Sequence, residues 1–137
     1  MTETLINGMI KPPCSVTLGA DLLTIDVENE SIEMSFLGTE DFITPRGSVQ
    51  GGFVAAMLDE LLALVIIAVK NGSHIPITLD LNVSYLRPVM PGKIWGTGKI
   101  IQMGRTMAFV EAELHDADKK VLARATSTVK VVERKPK

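Results

Sequence analysis

The chain has 137 residues, 46% of them apolar, which suits one compact domain, 1–137, able to bury roughly two-thirds of its unfolded surface. With 14 basic and 16 acidic side chains the net charge is −2, so no overall positive field recommends nucleic acid or an anionic membrane as a partner. The lone Cys14 excludes an internal disulfide and no signal-peptide layout opens the chain; uninterrupted apolar residues run only from Leu61 to Val69, short of the ~20 that span a bilayer, so a soluble, cytoplasmic protein is expected.

Residues 1–20 carry no clear period, and Pro12-Pro13 predicts an irregular arm or a short helix ended by the prolines. From Leu22 to Glu28 alternation places Leu23, Ile25 and Val27 on one face of a strand. Ile32, Met34 and Phe36 alternate likewise, and the polar Asn29-Glu30-Ser31 makes the two strands a hairpin. Gly38 to Gly47 reads as a loop, with Thr44 held extended by Pro45 and Ser48 expected to cap the next helix.

That helix begins at Gln50-Gly51-Gly52 and runs apolar on every face to Val69, so it belongs inside the fold. Glycines at a helix start let a ligand approach backbone N–H groups that have no intrahelical partner, an end that favours anions. Asp59 and Glu60 interrupt the apolar run, and buried carboxylates must be paired, hydrogen-bonded, at an interface, or used. Asn71-Gly72 gives a left-handed end to the helix.

Four more strands are predicted. The first, Ile75 to Leu86, alternates with Ile77, Leu79, Leu81 and Val83 facing inward; Lys93–Gln102 and Thr106–Asp116 join through Met103-Gly104-Arg105, where glycine is free to take positive φ. Val121 to Val132 is the last, after a turn at 117–120 that lacks glycine, and 133–137 reads as a solvated charged tail. Two strands, a buried helix and four strands make an α+β layer: an antiparallel sheet of about six strands wrapped round one helix.

The order of these elements, Gly-Ser-Val-Gln-Gly-Gly at 47–52, Asp59 seven residues after Gly52, the strand from Thr78 to Pro88 and Gly104-Arg105-Thr106 together resemble the hotdog-fold acyl-CoA thioesterases of the phenylacetate-pathway type, over about residues 20 to 132. The resemblance implies subunits paired edge to edge, dimers joined into tetramers, and active sites at the dimer interface. It implies that a backbone N–H at Gly51, with Gly52 beside it, polarises the thioester carbonyl. Asp59 from the partner's helix then attacks the carbonyl or activates water, and Thr78 matches a hydroxyl that helps place the water. No cofactor is expected beyond the coenzyme A carried in by the substrate.

The chemistry of the residues agrees. Thioester hydrolysis builds negative charge on the carbonyl oxygen, which free N–H donors and the helix dipole stabilise, while a carboxylate serves as general base or nucleophile. Arg87 and Arg105, the latter between Gly104 and Thr106, suit coenzyme A phosphates, with Lys93 and Lys130 as weaker choices. The chain departs from the commonest family pattern at Gln50, where histidine is usual, and at Thr44, where asparagine is usual, which bears on rate and substrate range. A solvated strand-end charge is the plain alternative for each arginine, a structural carboxylate for Asp59, and a subunit contact or a basic partner is expected for Glu60. His74 and His115 lack companions at ligand spacing, so no zinc site is expected. A medium-chain or arylacyl group fits, in a pocket on the helix face of Phe53, Met57 and Leu61. A non-catalytic acyl-CoA-binding module is the alternative function, and a hotdog hydratase ranks below it because no histidine follows Asp59 on the helix.

Overall fold

In the computed structural model, residues 10–134 are described; the first nine and last three residues, parts of the expected arm and tail, lie outside them. The elements are α1 (Pro13–Thr17), β1 (Asp21–Asp26), β2 (Ser31–Gly38), a 3-10 turn (Glu40–Phe42), α2 (Gly51–Val69), β3 (His74–Thr78), β4 (Asn82–Tyr85), β5 (Gly92–Met103), β6 (Met107–His115) and β7 (Val121–Glu133). The sheet is antiparallel in the order β1-β2-β5-β6-β7-β3, with β4 also on β7. It curls round α2, whose Met57, Leu58, Leu61, Leu62, Val65 and Ile66 are fully buried. By length and composition α2 resembles a membrane span, but here the sheet supplies its apolar surroundings.

The seventh strand arises because the expected strand 75–86 is broken in two. Three residues lie between Thr78 and Asn82, but only two between their partners Val129 and Thr126, so one residue bulges out. The bulge is built into the backbone: Leu79 N–H donates to the Thr128 carbonyl at 3.0 Å, and the Asp80 carboxylate accepts the Thr128 N–H at 2.7 Å.

Several expectations are corrected. Pro12 and Pro13 open α1 rather than end a helix, since Pro13 sits at the first helical position, where a missing N–H is harmless. The cap of α2 is Gln50, not Ser48. Gly104 does not take positive φ. At the glycine-free turn before β7, Lys119 adopts φ +64° while Asp116 accepts the N–H groups of Asp118 and Lys120.

The larger correction concerns faces. Leu23, Ile25, Ile75, Ile77 and Leu79 alternate as read, but all are exposed. β1 and β3 are the sheet's edges; α2 barely reaches β1, and in β3 it is Thr78, on the opposite face from Ile77, that meets the helix. Ile75 and Ile77 therefore join Met107, Phe109 and Val132 on the outer face.

The helix lies tight against β5, because that strand carries glycines beneath it. A Cβ on Gly98 would lie 2.8 Å from the Leu61 carbonyl oxygen, and one on Gly96 2.5 Å from the Leu61 Cδ1.

Candidate active site

The start of α2 is built from the N-cap inward. Gln50 turns its own side chain back, and Oε1 accepts the N–H groups of Gly52 at 2.8 Å and Phe53 at 3.3 Å. Gly52 makes this possible: a Cβ there would stand 2.7 Å from the same Oε1. Val54 N–H already donates to the Gln50 carbonyl, so among the described residues the Gly51 N–H is the first-turn donor left without a partner. One donor, at the positive end of a nineteen-residue helix, remains for a ligand.

A cleft of about 740 Å³ opens beside it. Thr44, Ser48, Arg46 and Arg87 supply its polar lining, and Val54, Leu86, Val89 and Met90 its apolar lining, with Gly51 and Tyr85 between. Thr44 shapes the loop: its N–H donates to the Ser48 carbonyl at 2.8 Å and its Oγ1 accepts from Arg46 N–H at 3.2 Å. Arg87 Nη1 donates to the Val121 carbonyl. Arg46 was missed at the sequence level; its only signal was a guanidinium three residues ahead of the N-cap's neighbour Val49, in a loop whose course no periodicity reveals.

Two turns along α2 lies the carboxylate. Asp59 is half-buried, and Thr78 on β3 donates its hydroxyl to Asp59 Oδ1 at 3.0 Å. The structure thus joins Asp59 with Thr78, and Gly51, Gly52, Gln50, Thr44 and Arg87 with one another. It does not join the two groups. Asp59 lies eight positions along the helix from Gly51, about 12 Å of axial rise, too far to act on one carbonyl from one chain. Gly104, Arg105 and Thr106 are also apart: Thr106 accepts from Val131 near one end of β7, while Arg87 sits by Val121 at the other, about 30 Å away along the strand.

Glu60 accepts the Ser15 hydroxyl of α1 within the same chain, with Lys11 near enough to act on its charge. Burial raises its pKa, opposed by the Ser15 hydrogen bond, with Asp59 adding to the rise and Lys11 reducing it. Met57 and Leu61 are packed into the core at 0% exposure and cannot line an acyl pocket, while Phe53 stacks on Phe42 at 4.1 Å. His74 bonds the Ser73 hydroxyl at 2.7 Å, and no cluster of three metal-ligating side chains occurs among the described residues.

The chain has relatives among known proteins. A family model described as the thioesterase superfamily matches residues 46–123. The medium/long-chain acyl-CoA thioesterase YigI of Salmonella typhimurium is 30% identical over 96 residues, covering 61% of this chain and 62% of that one, so the match spans less than two-thirds of that relative. Among solved structures, the phenylacetic acid degradation-related protein of Ralstonia eutropha superposes with a TM-score of 0.83 at 35% identity, covering 90% of this chain and 93% of the other. The protein smu.793 of Streptococcus mutans, solved bound to acetyl CoA, superposes with a TM-score of 0.75 at 21% identity, covering 85% and 91%.

Proposed function

Because this chain belongs to the thioesterase superfamily, with the hotdog fold and the thioester-hydrolase class that go with it, we propose that it hydrolyses acyl-CoA thioesters at a site shared between two subunits. The observation that carries the reading is the lone unpartnered N–H of Gly51 facing a cleft that combines apolar walls with Arg46 and Arg87. In this reading Gly51 N–H holds the developing oxyanion, and the partner's Asp59, its Oδ1 held by Thr78, takes a proton from water or attacks the carbonyl. Arg87 and Arg46 receive coenzyme A phosphates, the substrate class named for YigI and the ligand class seen with smu.793.

Pairing of two chains through β3 supplies the missing geometry. Among the described residues β3 is an edge strand paired with β7 alone, and its exposed Ile75 and Ile77 continue an apolar outer face. Two such edges related by a two-fold axis run antiparallel, so the partner's β7 runs opposite to the first. The partner's Gly104-Arg105-Thr106 turn then comes to the same end of the joint sheet as Arg87, and the partner's helix start comes toward the middle of α2, where Asp59 lies. A dimer of such dimers remains the larger assembly proposed.

The test is thiol release from a panel of acyl-CoA thioesters by the unmodified protein and by Asp59→Asn. Hydrolysis reduced on the order of 10²–10⁴-fold in a variant that still assembles is the expected result. Acyl-CoA binding without thiol release from either protein would favour the non-catalytic binding module, a reading kept by one observation: Gln50, where a proton-carrying histidine is usual, is occupied in capping the helix.

A further inference from the structure

We infer that Tyr85 is a positioning residue for this site, holding the Gly51–Gly52 peptide so that the free Gly51 N–H is fixed before charge develops on the substrate; this rests on the thioester-hydrolase reading above. The Tyr85 hydroxyl donates to the Gly51 carbonyl oxygen at 2.8 Å, a bond between residues thirty-four apart in the chain. That carbonyl and the Gly52 N–H belong to one planar peptide unit. Gln50 Oε1 holds the N–H side of the plane at 2.8 Å, and Tyr85 holds the carbonyl side. The plane is therefore clamped at both ends, by its own N-cap and by β4.

The clamp matters because of the sequence it acts on. Two adjacent glycines leave the first turn the widest choice of backbone angles on the helix. The Gly51 nitrogen is bonded to the Cα that begins the clamped plane, so fixing the plane restricts the direction of that N–H. A donor set in place in advance needs no reorganisation as the oxyanion forms. The ring contributes separately. A Cβ on Gly51 would lie 3.4 Å from Tyr85 Cζ, so the ring stands where a side chain at residue 51 would meet it. Tyr85 itself pairs with Ala123 on β7, and the next two N–H groups, of Leu86 and Arg87, both donate to the Leu122 carbonyl at 2.9 Å. The hydroxyl thus hangs from a fixed strand end, and it lines the cleft beside Arg87 without being placed on the reacting carbonyl.

Tyr85→Phe separates hydroxyl from ring. The expected result is a kcat lowered about five- to tenfold with KM within about twofold, the size of one net hydrogen bond. Affinity for a non-hydrolysable thioether analogue of acyl-CoA stays unchanged, while affinity for a CoA-linked trifluoromethyl ketone, whose hydrate mimics the oxyanion, falls by the same factor as kcat. Tyr85→Leu, lacking the ring, loses more kcat, and Tyr85→Phe recovers part of that loss. A Tyr85→Phe variant with unchanged kcat and unchanged ketone affinity overturns the positioning role while leaving the hydrolase reading intact. Parallel loss of thioether and ketone affinity overturns it in favour of a direct ground-state contact. If the unmodified protein releases thiol from no thioester, the hydrolase reading itself fails and the positioning role falls with it.

Discussion

At the scale of single residues, Gly51 and Gly52 do different things although they are identical and adjacent. Gly52 lacks a side chain to make room for Gln50 Oε1, whereas Gly51 offers its N–H to the cleft. Gly51→Pro isolates the second role. Gln50 already has φ −62° and ψ 140°, the extended angles that a residue before proline requires, and proline suits the first helical position. The variant should fold, with circular dichroism close to that of the unmodified protein, and lose about 10²–10³ in kcat through the missing donor. Normal kcat in a folded Gly51→Pro protein would remove Gly51 from the oxyanion role. The glycine pair and Asp59 were visible in the sequence because each breaks a pattern: two helix-poor residues at a helix start, and charge within an apolar run. Arg46 and Tyr85 break none. Their contacts join segments far apart in the chain, and nothing in local spacing records such a meeting.

At the scale of elements, α2 is set by what lies beneath it and what holds its middle. Gly98→Ala would press a methyl group against the Leu61 carbonyl, which is backbone and cannot turn aside. Overpacking of this kind destabilises by roughly 1–3 kcal/mol, read as a lower midpoint in denaturant unfolding. On the side of α1, Lys11 pairs with Asp21 at 3.0 Å and Ser15, with no exposed surface, donates to Glu60. The raised Glu60 pKa fixes the sign of a pH effect. Between the ordinary glutamate value of 4.5 and the raised one, the folded protein keeps a proton that the unfolded chain has released. The stability tied to this group is complete below the ordinary value and is lost as pH climbs through the raised one. Glu60→Gln retains an acceptor for Ser15 but cannot ionise, so its stability relative to the unmodified protein should improve from acid toward neutral pH. A gap between the two that does not change with pH would show that Glu60 is not the group responsible. Hairpins and α2 were legible because periodicity and turn residues act locally. The exposed faces of β1 and β3 were not: alternation tells which residues share a face and is silent on what covers it.

At the scale of the whole molecule, the two halves of the candidate site lie too far apart to meet within one chain, and the proposed dimer makes them meet between chains. Mixing offers a direct check. Asp59→Asn and Gly51→Pro proteins, each inactive alone, are unfolded together and refolded as a mixture. Half of randomly formed dimers are then mixed, and one of the two sites in each carries both intact groups, so activity should return to about a quarter of the unmodified level. No recovery, with mixed dimers demonstrated by mass, would place both groups of each site on one chain.

The pairing of the sheet also fixes an order of events during synthesis. β3 and β4 have β7 as their sheet neighbour, and among the described strands β7 is the last to leave the ribosome. Until residues 121–133 emerge, Thr78 and Tyr85 sit on strands with nothing to pair to, and the apolar flank of α2 that they will cover stays open to water or to a chaperone. Both hydroxyls that hold the candidate site are thus placed only once β7 has emerged, so a nascent chain stopped short of β7 would have its helix and its carboxylate but neither of the contacts that orient them.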